Sequence, residues 1–222
     1  CGVFGLKPTF GRVSESGAAP LCWSVAHIGP LAATAHDAAL VQALISGPDP
    51  LDPHSLHQPP SDFVLSDFSN DDLSGLRIGI FTPWFEDAHP EIVQACREQI
   101  ACFQALGAQV VEISIPGLEA ARVAHLISIA GEMAASMGAY YGDHRTDFGL
   151  DVRVNLAIAH EFTTRDYVNA QRVRTQVLAT MSDAFSACDV IITPASARTA
   201  PPLRPEALPD EESDLTTVLD LI

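Results

Sequence analysis

Several residues near the start of the chain are of types that act in catalysis. Lys7 is the only lysine among 222 residues, and a lysine with apolar neighbours can act as a base or form a Schiff base. It precedes Pro8 in a Gly-Leu-Lys-Pro-Thr turn, however, where a surface lysine is the expected arrangement. Ser14 and Ser16 could be nucleophiles, but no G-x-S-x-G elbow surrounds either serine. We therefore predict no catalytic residue in this stretch.

Patterns that bind phosphate or metal are missing as well. Gly2, Gly5 and Gly11 do not have the spacing of a dinucleotide fingerprint. The five cysteines include no Cys-x-x-Cys pair, and the eight histidines include no helical His-x-x-x-His pair. We expect Cys96 and Cys102 to be small buried side chains in a reducing compartment. The sequence predicts neither a metal site nor a cofactor.

The apolar periodicity predicts alternating helices and strands. Residues 34–46 predict a helix that Thr34 caps and that carries an apolar stripe at Leu40, Val41, Leu44 and Ile45. Strands are predicted at 76–81, 109–115 and 189–193, and helices from Pro90 to Gly107, over 118–137 and over 164–186. The first two strands and the helix between them indicate a βαβ crossover, which requires parallel strands. The chain is therefore expected to be α/β, with helices on a largely parallel sheet.

Two further features concern the organisation of the chain. Residues 48–75 are rich in Pro, His, Ser and Asp without apolar periodicity, which predicts a surface excursion. The chain begins at Cys1 in an apolar stretch and stops at Ile222 inside an amphipathic one, whereas natural termini are usually polar. We therefore expect one incomplete domain over 1–222, truncated at both ends.

The charge of the chain bears on its partners. The formal net charge is −16, and an acidic surface repels phosphate backbones, so we expect no nucleic-acid partner. The longest apolar run, 18–51, is too interrupted for a membrane-spanning helix. No basic amphipathic helix supports membrane association, although the association stays open. We expect an intracellular protein, either cytoplasmic or peripherally associated with a membrane, and a homodimer also stays open.

Several sequence blocks resemble the amidase signature family. The start of the chain looks like the segment after that family's nucleophile loop, in the blocks Cys-Gly at 1–2, Gly-Leu-Lys-Pro-Thr at 5–9 and Gly-Arg-Val-Ser at 11–14. Ile-Gly-Pro-Leu-Ala at 28–32 is similar to its next block, and Ile-Thr-Pro at 192–194 to its late pocket loop. Residues 20–24, 119–125 and 192–202 are most like the plant-type fatty acid amide hydrolases.

This resemblance implies an α/β/α sandwich with a mixed, largely parallel sheet. It also implies a Ser–cis-Ser–Lys triad, in which a neutral lysine takes a proton through a bridging serine and a second serine attacks the amide carbonyl. All of those residues would precede Cys1, and Lys7 matches a different position of the family. No catalytic residue is therefore assigned to this chain, and the chain alone is expected to be inactive.

The resemblance does assign walls of a substrate pocket. Three stretches match parts of the family that approach the acyl or leaving-group side of the site. They contain Leu21, Cys22 and Trp23, then His27, and finally Thr193 and Pro194. Loops that leave the strand ends of an open α/β sheet are where ligands bind. Ordinary packing is the alternative for each residue. A channel for a long acyl chain could be lined by Met133, Met137, Tyr140 and Tyr141, which a helix core would explain equally well.

Three functions remain open at this point. The first is a serine amidase that hydrolyses carbon–nitrogen bonds of N-acyl amides, such as N-acylethanolamines, with a small-molecule amide that can be lipid-like as its partner. The second is a small-amide hydrolase, or an amidotransferase A-type subunit that acts on charged tRNA, which the acidic composition disfavours. The third is a non-catalytic, truncated relative.

Overall fold

The computed structural model describes residues 2–55 and 71–200. The chain divides into two compact units. Unit 1 comprises Cys1–Asn70 with Ala135–Met137, and unit 2 comprises Asp71–Ala134 with Gly138–Ile222. One incomplete domain over 1–222 stays a prediction. Of the expected surface excursion at 48–75, residues 56–70 lie outside the described part of the chain.

The described part of unit 1 contains a short antiparallel pair of strands packed against an α-helix. Strand β1 (Phe4–Gly5) pairs with β2 (Leu31–Ala32), and helix α1 (Ala35–Ile45) contacts both. The Thr34 side chain accepts a hydrogen bond from the Asp37 backbone N–H at 3.0 Å, which satisfies one of the free N–H groups at the helix start. The predicted helix and its cap are therefore confirmed.

The apolar stripe of α1 does not lie where a core stripe is expected. The buried residues of α1 are Ala38 and Ala39. The larger side chains Leu40, Val41 and Leu44 are 37%, 39% and 77% exposed. Small side chains let a helix approach the two strands closely, and this turns the longer side chains outward.

Unit 2 is built on a parallel sheet. Strand β3 (Arg77–Ile80) lies between β4 (Gln109–Glu112) and β5 (Val190–Ile191), and both pairings are parallel. Helix α2 (Thr82–Phe85) follows β3 directly, and helix α3 (Pro90–Ala105) makes the crossover to β4. Gly107, with φ at 104°, ends that crossover helix in a left-handed conformation. The predicted βαβ unit and its parallel strands are confirmed.

The described part of unit 2 has three further α-helices. They are α4 (Leu118–His144), which also passes through the three residues assigned to unit 1, then α5 (Leu150–Ala159) and α6 (Thr164–Ala187). Helix α4 extends seven residues beyond the predicted end at Met137. No Pro or left-handed residue interrupts it there, and Gly138 has open space around its Cα. Among the described residues, no helix combines the length and the apolarity that crossing a bilayer requires.

The core of unit 2 lies against the sheet. Its first cluster consists of Ile78, Ile80, Phe85, Val93, Ile100 and Ala108, and its second of Ile113, Ile115, Ala184 and Cys188. Val93 and Ile100 share the buried face of α3, because a spacing of seven residues keeps them on one side. The expected burial of Cys102 is wrong, because this residue is exposed.

A buried polar contact joins α4 to α6. Glu132 is 6% exposed, and its carboxylate accepts a hydrogen bond from the Tyr167 hydroxyl at 2.9 Å. Burial, together with this hydrogen bond and the charge of Glu132, raises the pKa of Tyr167. One turn along each helix, the Gln171 amide donates to the Ser128 hydroxyl at 2.8 Å. Buried polar groups are retained when they are paired in this way.

Candidate functional site

A cleft of about 230 Å³ opens at the carboxyl ends of strands β3 and β5 in unit 2. Its walls come from the turn after β3, from the first turn and a half of α4 and from the loop after β5. The lining residues are Trp84, Asp87, Ala88, Arg122, Thr193, Pro194, Ala195, Ser196 and Ala197. The carboxyl edge of a parallel sheet is where open α/β proteins bind their ligands, because the connecting loops converge there.

The loop after β5 is held by backbone contacts. The His89 N–H at the start of α3 donates to the Ala197 carbonyl at 2.8 Å. Within the loop, the Ser196 hydroxyl donates to the Arg198 carbonyl at 2.8 Å. The wall of the cleft is therefore tied to the βαβ unit, and its position depends on the sheet.

An ion pair fixes the strand that carries this loop. Arg77 at the start of β3 contacts Asp189 just before β5, with 2.8 Å between Nη2 and Oδ1, and the Arg77 backbone N–H donates to the same carboxylate. These hydrogen bonds lower the pKa of Asp189. The Asp189 N–H returns a hydrogen bond to the Arg77 carbonyl at 2.9 Å. The contacts set the register in which Thr193 reaches the cleft.

The side chains that line the cleft include charged and aromatic groups that can bind a ligand. Asp87 and Arg122 contribute a carboxylate and a guanidinium, and Trp84, which is 37% exposed, contributes an apolar ring. No His, Lys or Cys is among the described residues that line the cleft. The Ser196 hydroxyl is already engaged with the Arg198 carbonyl. The cleft can hold a polar group beside an apolar one.

A second group of functional residue types lies in unit 1. The Trp23 and His54 rings are 4.8 Å apart, and the Phe10 ring packs edge-on against both His54 and His27, at 5.1 and 5.5 Å. The His27 Nδ1 lies 2.7 Å from the Val25 carbonyl. These rings form a surface on which Trp23 is 58% exposed.

Two carboxylates adjoin that ring cluster. Asp52 is buried, and its carboxylate accepts hydrogen bonds from the backbone N–H groups of Glu15 and His54, both at 3.0 Å. Burial and the neighbouring Asp52 raise the pKa of Glu15, and His27 and His54 partly oppose that shift. The pKa of Glu15 is raised because its partly buried carboxyl lies beside the buried carboxylate of Asp52.

The turn that presents His54 is closed by hydroxyl groups. The Ser55 hydroxyl donates to the Asp52 carbonyl at 2.8 Å and accepts from the Asp49 N–H at 2.7 Å. The Ser14 hydroxyl donates to the Asp49 carboxylate at 2.6 Å, which lowers the pKa of Asp49. These hydrogen bonds satisfy the hydroxyl of Ser55, which is fully buried. The sequence predicts a surface excursion from residue 48, so the burial of Ser55 departs from that prediction.

The predicted site residues fall into both units. Thr193 and Pro194 lie together in the cleft of unit 2. In unit 1, Trp23 and His27 meet through the Phe10 and His54 rings. Leu21 is 45% exposed and Cys22 is buried. Their roles as pocket walls stay predictions.

Sequence reasoning missed Trp84, Asp87 and Arg122 in unit 2, and Glu15 and His54 in unit 1. A usable signal existed for Trp84 and Asp87, because they follow directly after a predicted parallel strand. Parallel strands bring such residues to one edge of the sheet. Arg122 gave no local signal, since only the approach of α4 places it there.

The channel for a long acyl chain stays a prediction. Met133 is buried, whereas Tyr140 on the same helix is 52% exposed. Both lie on α4, and their spacing of seven residues keeps them on nearly the same face.

Comparison with known proteins decides the family. The amidase family model matches residues 1–222, the whole chain. The chain belongs to the amidase signature family. It is 38% identical over 224 residues to a fatty acid amide hydrolase of Medicago truncatula, a match that covers 98% of this chain and 37% of that protein. It is 31% identical to the A-type subunit of a glutamyl-tRNA(Gln) amidotransferase from Akkermansia muciniphila, over 94% of this chain and 49% of that one.

Solved structures show the amidase-signature fold. A protein from a vestigial complex that reveals the origins of an s-triazine catabolic enzyme superposes with a TM-score of 0.80 at 32% identity, over 93% of this chain and 44% of its own. A crystal structure of an amidase superposes with a TM-score of 0.75 at 26% identity, over 92% of this chain and 43% of its own. The chain thus spans little more than a third of the plant hydrolases and less than half of these structures.

Proposed function

We propose that the polypeptide to which this chain belongs is a serine amidase that hydrolyses N-acyl amides, with N-acylethanolamines as the favoured class. A Ser–cis-Ser–Lys triad outside this chain supplies the nucleophile and the proton relay. The serine forms an acyl-enzyme and the amine leaves with the relayed proton. Water then releases the carboxylic acid. This chain is proposed to contribute binding walls, and the protein is proposed to act in lipid amide metabolism.

The observation that carries the proposal is the cleft at the carboxyl edge of the sheet, which contains the predicted Thr193 and Pro194. The 38% identity to a plant fatty acid amide hydrolase favours an N-acyl amide as substrate. The Lys7 Nζ donates to the Pro8 carbonyl at 3.0 Å, and this contact supports a structural rather than a catalytic role for Lys7.

The second candidate is an amidase for small amides or an amidotransferase A-type subunit. The 31% identity to such a subunit over 94% of the chain favours it. A net charge of −16 opposes contact with tRNA, because a nucleic-acid site gains most of its affinity from neutralised phosphates. We therefore rank the N-acyl amide hydrolase first.

A substrate profile of the longer polypeptide separates these candidates. We expect hydrolysis of N-acylethanolamines, with kcat/KM rising with acyl length, and no hydrolysis by the 222-residue chain alone. Activity on short amides only would favour the second candidate, and release of ammonia from glutamine in the presence of charged tRNA would favour the amidotransferase. Absence of any amide hydrolysis would support the non-catalytic relative.

The cleft itself is tested by filling it. Ala195 lines the cleft and is exposed, so Ala195→Trp should obstruct substrate without disturbing the core. We expect KM for the N-acyl amide to rise about tenfold or more, which corresponds to about 1.4 kcal/mol. Ala101→Trp, on the exposed face of α3, is the matched control and should leave KM unchanged. Equal KM values for the two variants would show that substrate does not bind in the cleft.

A further inference from the structure

The rings of unit 1 leave aromatic surface open to solvent. The Trp23 ring lies 4.8 Å from the His54 ring, and the two planes meet at 34°. Phe10 packs edge-on against His54 and His27 on the other side of this contact. His54 thus covers part of the indole, yet Trp23 is still 58% exposed and His54 is exposed too. The rings therefore form a surface that a ligand can reach.

Negative charge adjoins these rings. The buried Asp52 carboxylate accepts hydrogen bonds from the backbone N–H groups of His54 and Glu15, each at 3.0 Å. Glu15 is half-buried, and both imidazoles and the Asp52 charge act on the pKa of its carboxyl. Rings and carboxylates are thus joined into one group, which we call the ring–carboxylate cluster. Its members are Phe10, Glu15, Trp23, His27, Asp52 and His54.

This combination attracts a cation. The face of an indole ring carries partial negative charge, and an ammonium group within about 6 Å of the ring centre is attracted to it. The carboxylates of Glu15 and Asp52 add full negative charges beside the rings. The net charge of −16 on the chain acts in the same direction, because the field of the whole protein concentrates cations at its surface. The same charges repel an anion.

The contacts favour an organic cation over a metal ion. Among residues 2–55 and 71–200, no group of three or more His, Cys, Asp and Glu side chains is arranged to hold a metal ion. Both oxygens of Asp52 already accept backbone hydrogen bonds, so this carboxylate acts on a ligand mainly through its charge. A quaternary ammonium group has no N–H to satisfy and binds through ring faces and surrounding charge.

We propose that the ring–carboxylate cluster of unit 1 is a binding site for a quaternary ammonium cation. Trp23 supplies the ring face, and Glu15 and Asp52 supply the opposing charge. The proposal concerns the described part of unit 1 alone, and it does not rest on the amide substrate proposed above.

Titration of the 222-residue chain with choline tests the proposal. The control ligand is dimethylbutanol, in which carbon replaces the charged nitrogen of choline. At about pH 8 a carboxyl with a raised pKa is still ionised and an ordinary imidazole is neutral. NMR follows the backbone N–H signals of Glu15 and His54, which donate to Asp52 within the cluster. We expect choline to shift both signals with a Kd at least about fivefold lower than that of dimethylbutanol.

Two substitutions remove the ring and the charge separately. Trp23→Leu keeps an apolar side chain but removes the ring face, and it should raise the Kd for choline at least about fivefold. Glu15→Gln keeps the shape and removes the charge, and it should raise the Kd about two- to fivefold. The controls are Leu44→Ala, at a site in unit 1 that is 77% exposed, and Glu161→Gln, at an exposed site in unit 2. Both should leave the Kd unchanged.

The buried thiol of Cys22 reports the folding of unit 1 and should stay unreactive in every variant. If Trp23→Leu exposes this thiol, Trp23→Phe takes its place, because it keeps a ring with weaker attraction for a cation and should raise the Kd about twofold.

Three results would overturn the proposal. Equal Kd values for choline and dimethylbutanol would show that the rings bind by apolar contact without the charge. An unchanged Kd in both the Trp23 and the Glu15 variants would remove the cluster from the site. Shifts at Trp84 without shifts at Glu15 and His54 would place the cation in unit 2.

Discussion

Gly79 in the central strand β3 provides a test of the packing that places the cleft. A Cβ added to Gly79 would lie 2.6 Å from the Cys188 Sγ and 3.1 Å from the Ile113 Cδ1. Cys188 is 1% exposed and its Sγ is 3.4 Å from the Ala184 carbonyl, so the thiol has no space to move into. Overpacking of this kind costs about 1–3 kcal/mol. We expect Gly79→Ala to destabilise unit 2 by that amount.

Urea unfolding followed by tryptophan fluorescence measures the loss. The chain has two tryptophans, Trp23 in unit 1 and Trp84 in unit 2, so a Trp23→Phe background leaves Trp84 to report on unit 2. Gly138→Ala in α4 is the matched control, because no heavy atom lies within 4 Å of its added Cβ. That control should be neutral or more stable by up to about 1 kcal/mol, since alanine favours the helix.

A double-mutant cycle identifies the cause of the loss. Cys188→Ala removes the closest atom, so Gly79→Ala should cost less in the Cys188→Ala background, with a coupling energy of about 1 kcal/mol. The rescue is partial because the Cys188 Cβ also lies 3.2 Å from the added group. A stability of Gly79→Ala within about 0.5 kcal/mol of the control would refute the packing argument. Strict additivity in the cycle would refute the assignment to Cys188.

Two further predictions concern the helices. Tyr167→Phe removes the hydroxyl donor to the buried Glu132 and should lower the free energy of urea unfolding by about 1–3 kcal/mol. Tyr140→Phe, at an exposed site, is the control and should change that free energy by less than about 0.5 kcal/mol, so equal effects of the two variants would contradict the role of the contact. Thr163→Ala removes a capping box with Asp166, whose pKa is lowered chiefly by that hydroxyl. The contribution of the box to stability is present above the ordinary Asp pKa of 3.8 and is lost as the pH falls below that value through the lowered pKa of Asp166. The difference in unfolding free energy between Thr163→Ala and the parent should therefore be smaller at about pH 3 than at about pH 7. A difference that does not change with pH would refute this account.

The elements set by local chemistry were predictable from the sequence. Thr34 marked the start of α1, and Pro90 and Gly107 marked the two ends of the crossover helix. Each signal acts through backbone N–H groups or φ angles within one turn, so no distant partner is needed to interpret it. The parallel pairing of β3 with β4 followed because a crossover helix permits no other direction.

Burial and the cleft were harder to predict because they depend on what packs against each element. Leu44 has the spacing of a core residue, yet it is exposed, since Ala38 and Ala39 offer the strands a closer approach. Arg122 joins the cleft only because α4 passes the loop after β5. Periodicity shows that a face is apolar, but the size of the side chains on the opposite face decides which one is buried.

Stability and substrate binding are coupled in this chain through a short pairing. Strand β5 pairs with β3 at two positions only, Ile78 with Val190 and Gly79 with Ile191, and the loop that begins at Thr193 forms a wall of the cleft. Two ladder positions hold a strand weakly, so the Arg77–Asp189 contacts and the packing of Cys188 on Gly79 must supply the remaining restraint. A change that loosens this packing therefore displaces the wall of the cleft as well as lowering stability. Gly79 is thus a position at which sheet packing bears directly on the proposed substrate site.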